Sequence, residues 1–529
     1  MPNDCITYQN SGYFSKLIID YLDQKAELKS LYNRFPTVAN FQLQIEEKNK
    51  NFPIENREIL AKALVNQYQN FEVSETTSNN IELLKSSNTF TITTGHQLNL
   101  FTGPLYFLYK IVSVINLTKE LKTVYPENNF VPIYWMATED HDFDEINFFN
   151  FKGNKIQWKK ESKGPVGRLK TSGLEEVFEQ FSTELGLGNN ANYLRELFKK
   201  SYLEHGNLAD ATRFLANELF KNEGLVIIDG DDSELKKLFI SYAKEELLKH
   251  TSFKKINETL PLLKTYNIQV NPREINLFYI QNDLRERIVY ENGNYKINKT
   301  QLSFSESEIL TELTNNSKNF SPNVILRPLY QEVILPNLCY IGGGGELAYW
   351  LELKSNFEAN RVTFPILLLR NSVLLATEKQ QEKLDKLSLK WTDVFQKQED
   401  LINKKTKEYS NFTIDFSEQK AFLKKQFEGL YAIANQTDKS FLGAVKAQEV
   451  KQLKGLETLE KRLLKAEKRN LNTRLEQILL IQNALFPSKS LQERKDNFAT
   501  FYESYGEVLI SILLKELKPL EHEFKVITL

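Results

Sequence analysis

No proline occurs between Pro365 and Pro487, and the interval holds only three glycines, Gly429, Gly443 and Gly455. Proline removes a helical donor and clashes with the preceding turn, while glycine loses the most backbone entropy on becoming helical. A long stretch depleted of both predicts long helices. The apolar spacing agrees. Leu384, Leu387, Trp391, Val394 and Leu401 recur at three- and four-residue steps, with Gln398 in the skipped seam position. A second stripe runs Leu456, Leu459, Leu463, Ala466, Asn470, and a third runs Leu471, Leu475, Ile478, Gln482, Leu485. The slip at Asn470/Leu471 breaks the register of a coiled coil. The polar run Tyr409–Ile414 predicts a turn, and a shorter helix follows near Ser417–Ala434. Residues 373–486 are therefore expected to form an antiparallel helical arm. Heptads alone do not say whether its partner lies in the same chain or in a second copy. Residues 487–529 are expected to form a helical segment returning to the core.

Residues 1–372 alternate differently. Short β-rich runs stand at Thr89–Thr94, Val131–Ala137, Leu225–Asp229, Leu277–Ile280, Val324–Leu329 and Phe364–Leu369. Helical patterns such as Pro104–Leu121 and Glu234–Lys249 separate most of them. Strands alternating with helices indicate an α/β core with a largely parallel sheet. Insertions are expected near 150–223 and 235–320.

Charge and cysteine usage narrow the function classes. The 529 residues carry 68 basic and 69 acidic side chains, a net charge of −1. The chain lacks the basic excess that nucleic-acid binding ordinarily needs. No apolar run approaches the roughly 18 residues of a membrane span, and the N-terminal residues lack the basic-then-apolar order of a signal peptide. Cys5 and Cys339 cannot build a disulfide framework or a four-thiolate zinc site, which suits a reducing cytoplasm.

Three segments have the composition of a site. Thr93-Thr94-Gly95-His96-Gln97-Leu98-Asn99-Leu100-Phe101-Thr102-Gly103-Pro104 follows a strand and precedes a helix. Open α/β sheets bind ligands beyond the carboxyl ends of their strands. Gly95 and Gly103 allow close approach, Gln97, Asn99 and Thr102 offer polar groups, and His96 could donate to a developing phosphate charge. The alternative is a capped turn in which His96 only satisfies backbone groups. Glu139-Asp140-His141-Asp142-Phe143-Asp144-Glu145 places five carboxylates and a histidine behind a strand. Crowded carboxylates raise one another's pKa, and histidine exchanges protons near neutrality. This segment suits a proton donor, a proton acceptor or an amine clamp better than a metal, and it lacks the HExxH and EF-hand spacings. The competing reading is an acid-rich solvated loop or helix start.

The third segment, Cys339-Tyr340-Ile341-Gly342-Gly343-Gly344-Gly345-Glu346, matches neither a Walker loop nor GxGxxG. Gly343 and Gly344 could cradle a ligand, but Glu346 would compete with a phosphate, so an ammonium or hydroxyl suits it better. A tight turn between strand and helix is the plain alternative. Cys339 reads as a small buried residue. Arg327 and Arg370, near strand ends, are candidates for gripping carboxylate or phosphate oxygens, with structural ion pairing as the alternative. Asp229 could hold ribose hydroxyls.

Taken in order, TGHQLNLFTGPLYFLYK, PIYWMATEDHDFDEIN, NPREINLFYI, LRPLYQEVILPNLCYIGGGGELAYW and LQERKDNFATFYESYG resemble one family, the cysteine-adding ligases of bacillithiol biosynthesis. The likeness spans nearly the whole chain. It implies a Rossmann-like nucleotidyltransferase core related to class I aminoacyl-tRNA synthetases, connecting-peptide insertions, and a coiled-coil domain supporting a homodimer. It implies a cytoplasmic enzyme that joins the carboxyl group of cysteine to the amine of glucosaminyl-malate, and that family members can bind adenine nucleotide (ATP or ADP). Where the family usually has Gly-Gln-Gln, this chain has Gly95-His96-Gln97, so a catalytic role for His96 does not carry over, and no KMSKS-like loop is present.

The expected mechanism places an activated cysteine carboxyl near Gly95–Pro104, with Asp140 or His141 taking a proton from the attacking amine and Arg370 holding a carboxylate. Glu139, Asp140, His141 and Asp142 would face the same pocket, without a metal. Two other classes remain open at this point: a metal-dependent hydrolase built on the acidic cluster, and a non-catalytic nucleotide-binding scaffold for a separate ligase.

Overall fold

The computed structural model describes residues 4–529. Its core is a five-stranded sheet. β1 (Thr89–His96), β2 (Asn129–Met136), β3 (Val226–Asp229), β4 (Asn337–Gly342) and β5 (Ile366–Leu369) lie in the order β5-β4-β1-β2-β3, and every neighbouring pair is parallel. β1 is buried along its whole length, and its threonines are satisfied inside the sheet: Thr91 and Thr93 donate to Asn337 Oδ1 at 3.3 and 2.9 Å, and Thr94 donates to the Ile341 carbonyl at 2.7 Å. This is the parallel α/β arrangement expected from the alternation of elements, and the Rossmann-like core that the resemblance implies. The strand order reverses between β1 and β4, which opens a crevice at their carboxyl ends. The nineteen-residue helix α1 (Tyr106–Val124) follows β1 and is buried along most of its faces.

The segment Val324–Leu329 is not the strand expected from its apolar run. It turns into helix α2 (Arg327–Ile334). The Asn323 carbonyl accepts the Arg327 N–H at 2.8 Å, and Asn323 Oδ1 accepts from Ile325 N–H at 2.9 Å. Pro328 sits in the first helical turn, where no donor is needed. The unforeseen core strand is β4, which runs into α3 (Gly344–Trp350). Leu277–Gln281 is a strand, but it belongs to a separate five-stranded antiparallel sheet with Leu284–Glu291, Asn294–Ile297, Ser303–Phe304 and Phe320–Pro322. The expected helix Glu234–Lys249 is two helices, Ser233–Lys237 and Ile240–Lys249.

The first stripe of the arm is likewise interrupted. Glu378–Lys386, Trp391–Val394 and α4 (Gln398–Tyr409) are separate helices, and Ser388 between the first two has φ 50°. Leu384, Trp391, Val394 and Leu401 are buried, and Gln482 donates to the carbonyls of Val394 and Gln396 at the second break. This stripe is a packed base. The long antiparallel pair is α5 (Ser417–Ala434) with α6 (Lys439–Asn470), joined through a small core of Phe427, Ala434 and Val445. Helix α6 ends at Asn470 and α7 (Asn472–Leu485) restarts after Leu471, where the register slips.

The C-terminal residues are not wholly helical. Glu523–Thr528 forms a strand antiparallel to Asp4–Thr7 and parallel to Ser372–Ala376. Among the described residues, no helix is long and apolar enough to cross a membrane.

Candidate active site

A cleft of about 800 Å³ opens at the carboxyl edge of the sheet. Gly95, His96 and Gln97 reach it from β1, Glu139 to Asp142 from the end of β2, and Gly343 to Glu346 from the start of α3. Arg327 and Arg370 also line it. The antiparallel sheet supplies a further wall through Phe278, Arg285 and Arg287.

The second half of the β1 loop points elsewhere. Phe101, Thr102 and Gly103 all have positive φ, at 47°, 68° and 63°. Tyr202 Oη accepts the Phe101 N–H at 2.7 Å. The Asn497 amide donates to the carbonyls of Phe101 and Gly103 at 2.7 and 2.6 Å. A Cβ on Gly103 would come within 2.6 Å of Asn99 Cβ, so glycine is required there. The Asn99 amide donates to the Glu145 carbonyl at 3.3 Å. Asn99, Thr102 and Gly103 therefore shape the loop and do not line the cleft, contrary to expectation. His96 is also redirected. Its ring packs against Tyr106 and Phe107, and burial, with the nearby Lys110 charge, pushes it down to about 3. A ring held unprotonated in this way keeps one N–H donor but brings no positive charge to a phosphate.

The acidic segment is sorted by its partners. Glu139 is buried against Lys236 at 2.7 Å. Burial and the nearby Asp231 charge hold it above the usual carboxyl range despite that ammonium. Burial would raise Asp140, but hydrogen bonds from His141 and Gln97 and the charge of Arg285 hold it well below its ordinary value. Its Oδ1 accepts the His141 N–H at 2.8 Å and its Oδ2 accepts from Gln97 at 3.1 Å. Asp140 is thus a poor proton acceptor. Asp142 shifts the other way, raised by burial and by the Asp140 charge. Its Oδ1 lies 4.0 Å from His141 Nε2. The His141 Nδ1 receives a hydrogen bond from Arg285 Nη1 at 2.6 Å. Oxygen and nitrogen atoms of Asp140, His141 and Asp142 lie within 4.8 Å of one another, but the Arg285 guanidinium beside them opposes a cation.

The glycine run is not a left-handed turn: none of Gly342 to Gly345 has positive φ. Only Gly342 is sterically obligatory, since a Cβ there would stand 2.9 Å from Leu347 Cδ1 and Tyr340 Cε1. The Gly343 N–H donates to Glu346 Oε2 at 2.8 Å, Tyr340 Oη donates to Oε1 at 2.7 Å, and Lys110 Nζ lies 2.6 Å from Oε2. Glu346 thus already has its ammonium and hydroxyl, and it fills the helix start that a phosphate would use. These residues do not fit a nucleotide phosphate chain at that helix end. Arg370 pairs with Glu493 at 2.7 Å in a buried contact, so its charge is already spent inside the protein. Arg327 Nη1 donates to Gln331 at 2.9 Å. Asp229 Oδ1 accepts from Thr138 Oγ1 and from Asp231 N–H, and Asp229 is not among the residues that line the cleft. Cys339 is buried, and burial raises its thiol far above its ordinary value.

Lys110, Arg285, Arg287 and Asn497 were not singled out in the sequence. Lys110 had a signal, since its α1 position follows the glycine loop closely. Arg285 and Arg287 had only the two-residue alternation of a strand, the central one of the antiparallel sheet.

Fold and site together define a Rossmann-like α/β protein with a helical arm and a polar cleft at the topological switch point. Residues 1–371 match the family model described as "Bacillithiol biosynthesis BshC, N-terminal Rossmann-like domain", and residues 373–529 match its C-terminal coiled-coil domain. The chain belongs to the BshC family of bacillithiol biosynthesis. A Flavobacterium johnsoniae protein named "Putative cysteine ligase BshC" is 65% identical over the full length of both chains. Proteins of the same name from Christiangramia forsetii and Staphylococcus carnosus are 58% and 28% identical, covering 100% and 93% of this chain and 99% and 94% of their own.

Proposed function

We propose that this protein is a cysteine ligase that forms an amide bond between the carboxyl group of cysteine and the amine of glucosaminyl-malate, completing bacillithiol in the cytoplasm. The observation that carries the reading is the convergence of Gln97, Asp140, His141 and Asp142 in one cleft at the β1/β4 switch point, in a chain that matches this family along its length.

In the proposed reaction the amine nitrogen attacks the activated carboxyl carbon. The C–N bond forms, the bond to the activating group breaks, and the amine proton passes to a carboxylate. Asp142 suits that role better than Asp140, because burial and the neighbouring Asp140 charge raise its proton affinity. With Nδ1 occupied by Arg285, His141 presents Nε2–H and acts as a donor to the substrate. Arg273, Arg287 and Arg494 line the cleft, and among the described residues none of them makes a side-chain ion pair. They replace Arg370 as the groups proposed to meet the malate carboxylates. No step is assigned to a nucleotide. The exposed apolar side chains Phe422, Phe441 and Leu459 of α5 and α6 are proposed to face a second copy, forming a homodimer.

The test is purified full-length protein incubated with cysteine and glucosaminyl-malate, with and without ATP, and product followed by mass spectrometry. Formation of the amide supports the reading, and the ATP arm identifies the activating donor. If neither arm yields product while a cell lacking the protein still makes bacillithiol, the ligase assignment falls. If the cell loses bacillithiol but cleft variants restore it fully, the scaffold reading replaces it.

A further inference from the structure

We propose that Arg285, carried by the inserted antiparallel sheet, is a positioning residue that fixes the tautomer and orientation of His141; the catalytic part of this inference rests on the ligase reading above. Residues of one parity on neighbouring antiparallel strands share a face. Phe278 pairs with Arg287 and Ile280 with Arg285, so Phe278, Arg285 and Arg287 lie on the face toward the cleft, where all three are lining residues. The Arg285 guanidinium carbon stands 4.1 Å from the Phe278 ring centroid. The His141 ring packs on the same phenylalanine at 5.8 Å. Phe278 is thus a common platform for the cation and the imidazole.

Arginine has only donors. Its Nη1 lies 2.6 Å from His141 Nδ1, so Nδ1 must be the acceptor and the ring proton must sit on Nε2. The alternative partner of Nδ1, Asp140 Oδ1, is 3.7 Å away, beyond hydrogen-bond range. Asp140 Oδ1 is instead 3.9 Å from the same guanidinium. Without Arg285, Asp140 Oδ1 at 3.7 Å would be left facing Nδ1. A carboxylate only accepts, so the proton would be drawn toward Nδ1, in competition with Asp142 Oδ1 at 4.0 Å from Nε2, and Nε2 would no longer be held as the donor. One guanidinium therefore decides whether His141 offers a donor or an acceptor near Asp142. It also makes docking of the inserted sheet a condition for the donor state.

The experiment is nitrogen-15 histidine NMR on the full-length protein, with His141 assigned by H141N. The wild type is expected to show a proton on Nε2 of His141. R285A is expected to shift the ring toward Nδ1–H, R285K to restore the wild-type pattern, and the other four histidines to stay unmoved as a folding control. In the ligase assay, R285A should lower kcat on the order of 10-fold to 100-fold, as misplaced catalytic groups do, while KM for cysteine changes little. Wild-type tautomer retained in R285A overturns the proposal. So does a shifted tautomer with unchanged kcat in an active enzyme. If R285A does not fold, R285M, which keeps a long side chain over Phe278 but removes every donor, is read in the same way. A wild type that makes no product while R285A still shifts the ring sinks the ligase reading and leaves the tautomer assignment standing.

Discussion

Lys110 Nζ lies 2.6 Å from Glu346 Oε2 and donates to the Gly95 carbonyl at 2.8 Å. One ammonium therefore ties α1, the end of β1 and the start of α3 together across the switch point. Lys110 is buried. Burial lowers its proton affinity, and the Glu346 charge offsets much of that effect. Removing one partner of such a pair leaves the other charge uncompensated. K110M is expected to cost about 3 kcal/mol of stability, and the double variant K110M/E346L should recover part of the loss. Urea unfolding of the three proteins checks this. Equal midpoints for K110M and wild type would mean that the pair does not brace the crevice.

Asp142 and Asp140 should separate in kinetics. Loss of the group that takes the amine proton typically lowers the rate about 10²- to 10⁴-fold. D142N is expected to fall in that range through kcat. D140N should act through geometry, because Asp140 receives the His141 N–H and the Gln97 amide, and its loss should be smaller and accompanied by a higher KM. Equal kcat in D142N and wild type would remove Asp142 from the reaction.

The strand–loop–helix at 89–124 and the acidic segment after β2 were legible because each sits at a strand end and each has an unusual local composition. The direction of individual side chains was not legible. Asn99, Thr102 and Gly103 look like ligand groups on paper, yet Asn497, almost four hundred residues away, ties that half of the loop down. Arg370 reads as a free cation until Glu493 is placed beside it. Val324–Leu329 was misread because a short apolar run has no period that separates strand from helix. Pro328 in the first helical turn and Asn323 before it were the usable signals. The arm was visible from its lack of proline. Its interruption near Ser388 was not, since a single serine with φ 50° leaves little mark in composition.

Glu352 links pH to the cleft wall. It is buried, and its Oε1 accepts the Gln269 N–H at 2.8 Å; Gln269 and Val270 line the cleft. Burial pushes its carboxyl from the ordinary 4.5 up to about 7. A raised acid favours the folded state when protonated. Its contribution is full below about 4.5 and is lost as pH rises through about 7. The span corresponds to stability on the order of 3 kcal/mol. Wild-type protein should lose stability relative to E352Q between pH 5 and pH 8 in urea titrations. Parallel midpoints for the two proteins across that range would show that Glu352 is not titrating there.

Gly443 and Gly455 lie inside α6, and a Cβ added to either would meet nothing within 4 Å. Replacing a mid-helix glycine with alanine ordinarily stabilises the helix by about 0.5–1 kcal/mol. If α6 presents these positions to solvent, G443A and G455A should each slow amide hydrogen exchange along the helix by roughly 2- to 5-fold, the equivalent of that free energy. The same substitutions also read out the proposed pairing of arms. Should a second copy pack closely over the glycines, alanine would hold the helices apart. Light scattering would then show a weaker dimer, even as exchange within α6 slowed in the monomer. Faster exchange in both variants, with the oligomeric state unchanged, would contradict an open helix face at these positions.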